Sequence, residues 1–187
     1  MEAPDVTRSV RAISDEITRA ASSLDASELS ELATLLQGAD RVFVLGGGRS
    51  GLALRMTAMR LMHLGLRVHV VGETTTPAIG TADVLLTASG SGTTGAVVGA
   101  ARIAADAGAT IAAITAVADS PLGALADVVV AVDAAAKLDR AGTASAQYAG
   151  SLFEQIVMII GDSVFDALRL ASGATADSLW PRHANLE

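Results

Sequence analysis

Residues 41–51 read RVFVLGGGRSG, and the eleven that follow, LALRMTAMRLM, keep their apolar side chains at helical spacing. The first five, Arg41–Leu45, form a short β-branched and aromatic run. It stops at Gly46–Gly48, and a helix is expected from Leu52 to Leu64, closing near Gly65. A strand that ends in glycines and feeds a helix is the opening of a parallel α/β unit. The same alternation continues outward. Strands are expected at Arg67–Val71, Val84–Thr87, Thr110–Ile114 and Val128–Val132. Helices are expected at about Thr94–Ala107 and from about Ser145 to Leu170. Upstream, Val6–Leu24 and Ala26–Gln37 read as amphipathic helices. Asp25 or Ser27 is placed to cap the second, and Gly38 to close it. A short tail, Asp177–Glu187, carries Trp180 and His183. The expected fold is α/β: a three-layer α-β-α sandwich around a five-stranded parallel sheet of flavodoxin-like order. The whole chain, 1–187, reads as one domain, with residues 1–38 as helical extension and 39–187 as core, C-terminal helix and tail.

Composition narrows the function. The chain has 187 residues, 51% of them hydrophobic but only 3% aromatic, so small apolar side chains pack its layers. With no cysteine, disulfides and thiolate metal sites are excluded. No apolar run is long enough to span a bilayer, and the N-terminus lacks a signal-peptide pattern. We therefore expect a cytoplasmic protein without a membrane partner. The net charge of −7 argues against nucleic-acid binding. Locally the charge inverts. Between Arg41 and Gly72 there is no Asp or Glu, but there are arginines at 41, 49, 55, 60 and 67. These either prepare a site for a small anion or pair with acids elsewhere in the chain.

Two loops at strand ends carry the chemistry. Gly46–Gly51 lets backbone approach a ligand and presents N–H groups at a helix N-terminus. Ser50 adds a hydroxyl and Arg49 a fixed charge. Read literally the loop also fits the dinucleotide fingerprint, with Glu73 cast as the ribose acid. Ser89–Thr94, reading SGSGTT, places four hydroxyls and two glycines in six residues. One hydroxyl suffices for a helix cap; four make a phosphate cradle that needs no lysine. The one lysine of the chain is Lys137, and no P-loop is present. Two such loops in so short a chain favour a compact phosphorylated metabolite over a dinucleotide. A third loop, Gly72–Pro77 (GETTTP), also follows a strand, and its threonines suit either sugar hydroxyls or a plain turn.

These stretches resemble the sugar isomerase (SIS) superfamily, and within it the 6-phospho-3-hexuloisomerases. The resemblance rests on Val42–Gly46 leading into Gly48–Gly51, on Ala58–Gly65 (AMRLMHLG), on Val71–Pro77, on Ser89–Thr94 and on the ending Arg182–Glu187 (RHANLE). It covers the chain from about Arg41 to the C-terminus. It implies an enzyme that interconverts 3-hexulose 6-phosphate and fructose 6-phosphate in formaldehyde fixation by the ribulose monophosphate route. It also implies no metal or redox cofactor, and a dimer of dimers with sites near subunit interfaces.

Moving a carbonyl to the adjacent carbon requires a base that takes a proton beside it and returns it through an enediol(ate). Glu154 is the candidate. It lies in the last helix among small and apolar neighbours, where partial desolvation favours a protonatable carboxylate. His183, in the polar tail, is the second candidate, for proton transfer between the two oxygens or for ring opening. In the isomerases it resembles, a tail histidine reaches a neighbouring subunit's site. His63 and His69 read as structural. Substrate binding is expected from Gly48, Arg49, Ser50, Glu73, Thr74, Ser89, Ser91, Thr93 and Thr94. No spacing of His, Asp and Glu suggests a metal. Two other readings remain open at this point: a non-catalytic SIS module that senses a sugar phosphate, and an aldose-ketose phosphate isomerase of the same superfamily.

Overall fold

A computed structural model describes residues 5–134 and 145–186. The expected features at residues 1–4, Lys137 and Glu187 lie outside them. The chain opens with helices α1 (Val6–Ser22) and α2 (Ala26–Gly38) and then alternates. Strand β1 (Val42–Gly46) leads into α3 (Gly48–Leu64), β2 (Val68–Val70) and β3 (Val84–Ala88). Helix α4 (Gly95–Asp106), β4 (Thr110–Thr115), a 3-10 turn at Gly123–Leu125 and β5 (Val128–Ala131) follow. The long α5 (Ser151–Ser172), the single turn α6 (Ala176–Leu179) and a 3-10 turn at Trp180–Arg182 complete it.

The five strands are parallel in the order β2-β1-β3-β4-β5, the flavodoxin-like order expected from the sequence. Alternation along each strand sorts the core into two halves. Val42, Val44, Leu86 and Ile114 face α2, α3 and α5, where Leu36, Leu54, Leu61 and Ile156 meet them. Phe43, Leu85, Ile111 and Ala113 face Val97, Ala101 and Ala104 of α4 and Leu122 beyond β4. The three layers of the expected sandwich are therefore present. The N-terminal helices are part of this packing, since Ala20, Leu32 and Leu36 are buried in the first core half.

Asp25 is the cap of α2, accepting from the N–H groups of Ser27 and Glu28. At the amino edge of the sheet Arg41 grips the buried Asp83 through Nε at 2.8 Å and Nη2 at 2.5 Å. The Arg41 guanidinium holds that carboxyl below its usual range, against the opposing effect of burial. Helices α3 and α5 cross where Gly161 faces Thr57; a Cβ at 161 would overlap the threonine Oγ1. This contact ties the helix that carries Arg49 and Ser50 to the one that carries Glu154.

Candidate active site

The carboxyl ends of β1 and β3 lie side by side, with Gly46 opposite Ala88 in register. Strand order reverses direction at this pair. Connections leaving a parallel sheet here go to opposite faces and open a crevice, the usual place for a ligand. Helix α3 leaves from β1 and α4 from β3, and α5 comes in beside them. A cavity of about 310 Å³ lies between the three, lined by Gly48, Ser50, Ser89, Ser91, Thr94 and Glu154. Both loops singled out in the sequence thus converge on one cavity, with the proposed base on its wall.

The glycine loop is tighter than it reads in sequence. Helix α3 starts at Gly48, not Leu52, so Gly48–Gly51 is its first turn. That turn lies directly on the strand end: a Cβ at Gly46 would come to 2.8 Å from the Gly51 nitrogen, and one at Gly51 would strike the Gly46 carbonyl. Only glycine at both positions lets helix and strand meet so closely.

The helix ends at the cavity differ from those elsewhere. Helices α1, α2 and α6 begin with side-chain caps from Asp5, Asp25 and Thr175. Helices α3, α4 and α5 begin at Gly47, Thr94 and Gly150 with no side-chain cap. Three uncapped N-termini at one cavity leave backbone donors for a ligand and add the positive ends of three helix dipoles. Neither α3 nor α4 has an acid in its first turn to quench that field. The Thr94 hydroxyl, which sits at the cap position, instead pairs with Ser89 Oγ at 2.9 Å. The Ser91 hydroxyl pairs with Thr93 Oγ1 at 2.9 Å and accepts from the Thr93 N–H. The four hydroxyls are thus paired along the loop, and none of them caps α4.

Glu154 faces this cradle from the first turn of α5, its side chain 17% exposed. It accepts from Arg49 Nε at 2.5 Å, a contact across the mouth from α3 to α5. Phe153, buried, packs its ring on Gly90 behind the serine loop. Before α5 the chain turns through Ala149 at φ +50, the one non-glycine residue of positive φ among the described residues. Such a conformation costs an alanine about 1 kcal/mol, so neighbouring contacts must hold it.

The remaining sequence candidates are placed elsewhere. Thr93 reaches the cavity only through Ser91. Glu73 and Thr74 stand after β2, one strand removed on the same sheet edge; Glu73 is exposed and pairs with Arg55 at 3.1 Å. They do not line the cavity of this chain. His183 stacks on His63 with ring centroids 4.0 Å apart and lies 4.9 Å from Trp180, and Arg182 donates to the His63 carbonyl. His63 sits at the far end of α3, about 22 Å along the axis from Gly48. His183 therefore does not meet Glu154 within one chain. The five arginines of the acid-free stretch all have acid partners: Asp83, Glu154, Glu73, Asp162 and Asp40 in chain order. Pairing with acids elsewhere accounts for them; Arg49 does not line the cavity and reaches it only through Glu154.

The dinucleotide reading loses its support here, because the glycine loop shares its cavity with the serine loop and Glu73 turns to Arg55. Sequence reasoning named the loops that hold Gly47 and Gly90 but passed over Ala88, Gly150 and Phe153, small or apolar lining residues that carry no polar signal.

Comparison with known proteins agrees with this fold. The family model described as SIS domain matches residues 35–159. The chain belongs to the SIS domain family. Within it, the chain is 52% identical over 183 residues to a 3-hexulose-6-phosphate isomerase of Mycobacterium gastri, covering 98% of this chain and 92% of that one. It is 34% identical to a 3-hexulose-6-phosphate isomerase of Bacillus subtilis, covering 97% and 98%. Among solved structures, a hypothetical protein of Methanococcus jannaschii superposes with a TM-score of 0.81 at 29% identity, covering 96% and 99%. Its crystal structure was reported to infer a 3-hexulose-6-phosphate isomerase function. The SIS domain cavity described above is thus set in a chain whose similarity to these proteins runs nearly end to end.

Proposed function

We infer that this chain is a 3-hexulose-6-phosphate isomerase, interconverting that ketose and fructose 6-phosphate. The observation that carries the reading is the cavity itself: three uncapped helix N-termini and a ring of hydroxyls facing one carboxylate. The near full-length identity to named isomerases supports it.

In the proposed mechanism the phosphate takes the N–H groups at the starts of α3 and α4, with hydroxyls of Ser50, Ser89, Ser91, Thr93 and Thr94 around its oxygens. The backbone of Gly48 closes on it. The sugar carbons then extend toward α5. The Glu154 carboxylate removes the proton from the carbon beside the carbonyl, holds it over the enediolate plane, and returns it to the neighbouring carbon. Arg49, already on Glu154, turns its guanidinium to the enediolate oxygens as charge develops there. Proton exchange between those oxygens, or ring opening, falls to His183 delivered from a neighbouring subunit. Glu73 and Thr74 contact sugar hydroxyls in the assembled oligomer, a dimer of dimers. No metal or redox cofactor takes part in this scheme. The setting we propose is cytoplasmic, downstream of a synthase that condenses formaldehyde with ribulose 5-phosphate.

The test is a coupled assay. The hexulose phosphate is made in situ from formaldehyde and ribulose 5-phosphate by such a synthase, and fructose 6-phosphate is followed. Wild type is expected to form product, and Glu154→Gln to lose about 10³-fold in kcat with its binding of sugar phosphate retained. A folded wild type that binds sugar phosphate but forms no product would contradict the reading.

A further inference from the structure

The turn that carries Gly150 to the cavity wall is held by a residue the mechanism does not use. Glu16, on α1, is buried. Its Oε1 accepts from the Ala146 N–H at 2.7 Å. Its Oε2 accepts from Ser145 Oγ at 2.7 Å and Gln147 Nε2 at 2.9 Å. The Gln147 side chain is then fixed at both ends, because its Oε1 accepts from Gln155 Nε2 at 2.9 Å. Gln155 is the residue after Glu154 on α5. Ser145 Oγ also accepts from the Gln147 N–H at 3.0 Å, which folds the segment on itself. The positive φ of Ala149 and the Gly150 cap lie between these two anchors.

We propose that Glu16 is a positioning residue, a carboxylate latch through which the N-terminal helix fixes the Ser145–Gly150 turn and so sets where α5 presents Glu154 to the cradle. Three donors converge on one buried carboxylate, which only an ionised, acceptor-only group satisfies. Burial opposes the charge, but the donors from Ser145, Ala146 and Gln147 outweigh it and hold the carboxyl below its ordinary range. A glutamine at 16 has the same shape but turns an N–H₂ toward donors. The helical extension thereby supports the site as well as packing on the core.

The kinetic part of the test rests on the isomerase reading; the structural part does not. In Glu16→Gln, amide hydrogen exchange of residues 145–155 is expected to speed up while the β1, β3 and β4 amides keep wild-type protection. Turnover in the coupled assay is expected to fall about tenfold in kcat, with KM changed less than about twofold, since the phosphate loops are untouched. The exchanged pair Glu16→Gln with Gln147→Glu restores three bonds: the glutamine carbonyl takes the Ala146 N–H, and its amide donates to the new carboxylate and to Ser145 Oγ. It is expected to recover most of the lost kcat. Should Glu16→Gln fail to fold, Gln147→Met, which cuts the link to Gln155, is expected to lower kcat in the same direction. Wild-type kcat and exchange in a folded Glu16→Gln, or a loss that the exchanged pair leaves unrepaired, would overturn the latch. Wild-type kcat in Gln147→Met would overturn it equally. An inactive wild type with faster exchange confined to 145–155 in the variant would sink the isomerase reading and leave the latch standing.

Discussion

The two ends of α3 are built for opposite purposes. At its N-terminus, Gly48–Gly51 has no side-chain cap, no acid in the first turn and a cavity in front of it. At its C-terminus, Gly65 closes the helix in the left-handed conformation and the tail packs over it, with Arg182 on the His63 carbonyl and His183 on the His63 ring. One end keeps its polar groups available for a ligand; the other has its groups taken by the chain itself. The difference teaches that Glu154 and His183, the two candidates for proton transfer, are held at opposite ends of one helix. A site that uses both draws on two chains.

The open end is the more sensitive. Ser91→Ala removes a hydroxyl from the cradle without touching the core, and KM for the sugar phosphate is expected to rise about tenfold with kcat nearly unchanged. An unchanged KM in steady-state assays would break the assignment of that end to phosphate. The middle of α3 comes next. Gly161→Ala forces a methyl into Thr57 where α5 crosses, and should cost about 2 kcal/mol of stability, read as a lower midpoint in denaturant. A neutral result would mean that the crossing can slide, and that Glu154 is not fixed relative to Ser50 through it.

The smallest effect is expected at the closed end. Burial, then the neighbouring His183 and Arg60, keep the His63 pKa below its ordinary value. The docked tail therefore binds fewer protons than the released tail. Docking should be undiminished above about pH 6.5, the ordinary histidine value, and weaken as pH falls below it. Trp180, the single tryptophan of the chain, lies beside His183, so its emission should report this titration, and His63→Gln should flatten it. A signal independent of pH from 7 to about 5 would show that the tail is not held through His63.

Much of this layout was legible from residue patterns. The strand runs and the alternation at 42–45, 84–87 and 110–114 announced a parallel sheet, and glycine and hydroxyl clusters marked the two ends that meet at the switch point. Three things were not legible. The last helix begins at Ser151 rather than Ser145, because the residues before it are held in a turn by Glu16, more than a hundred positions away. An alanine at positive φ gives no local sign of itself. The arginine-rich stretch left an anion site and pairing with distant acids equally open, and the partners that decide it, such as Asp83 and Asp162, became visible only in three dimensions. Local periodicity reports local structure; the partner of a side chain is set by topology.

The central claim, that one site takes Glu154 from one chain and His183 from another, is tested most directly by co-expressing differently tagged Glu154→Gln and His183→Ala chains. Each variant alone is expected to be nearly inactive. Doubly tagged oligomers should recover activity toward about a quarter of wild type, the share of sites in which both groups are intact on random mixing. Purified hybrids no more active than either variant alone, or a His183→Ala enzyme with full turnover, would contradict it.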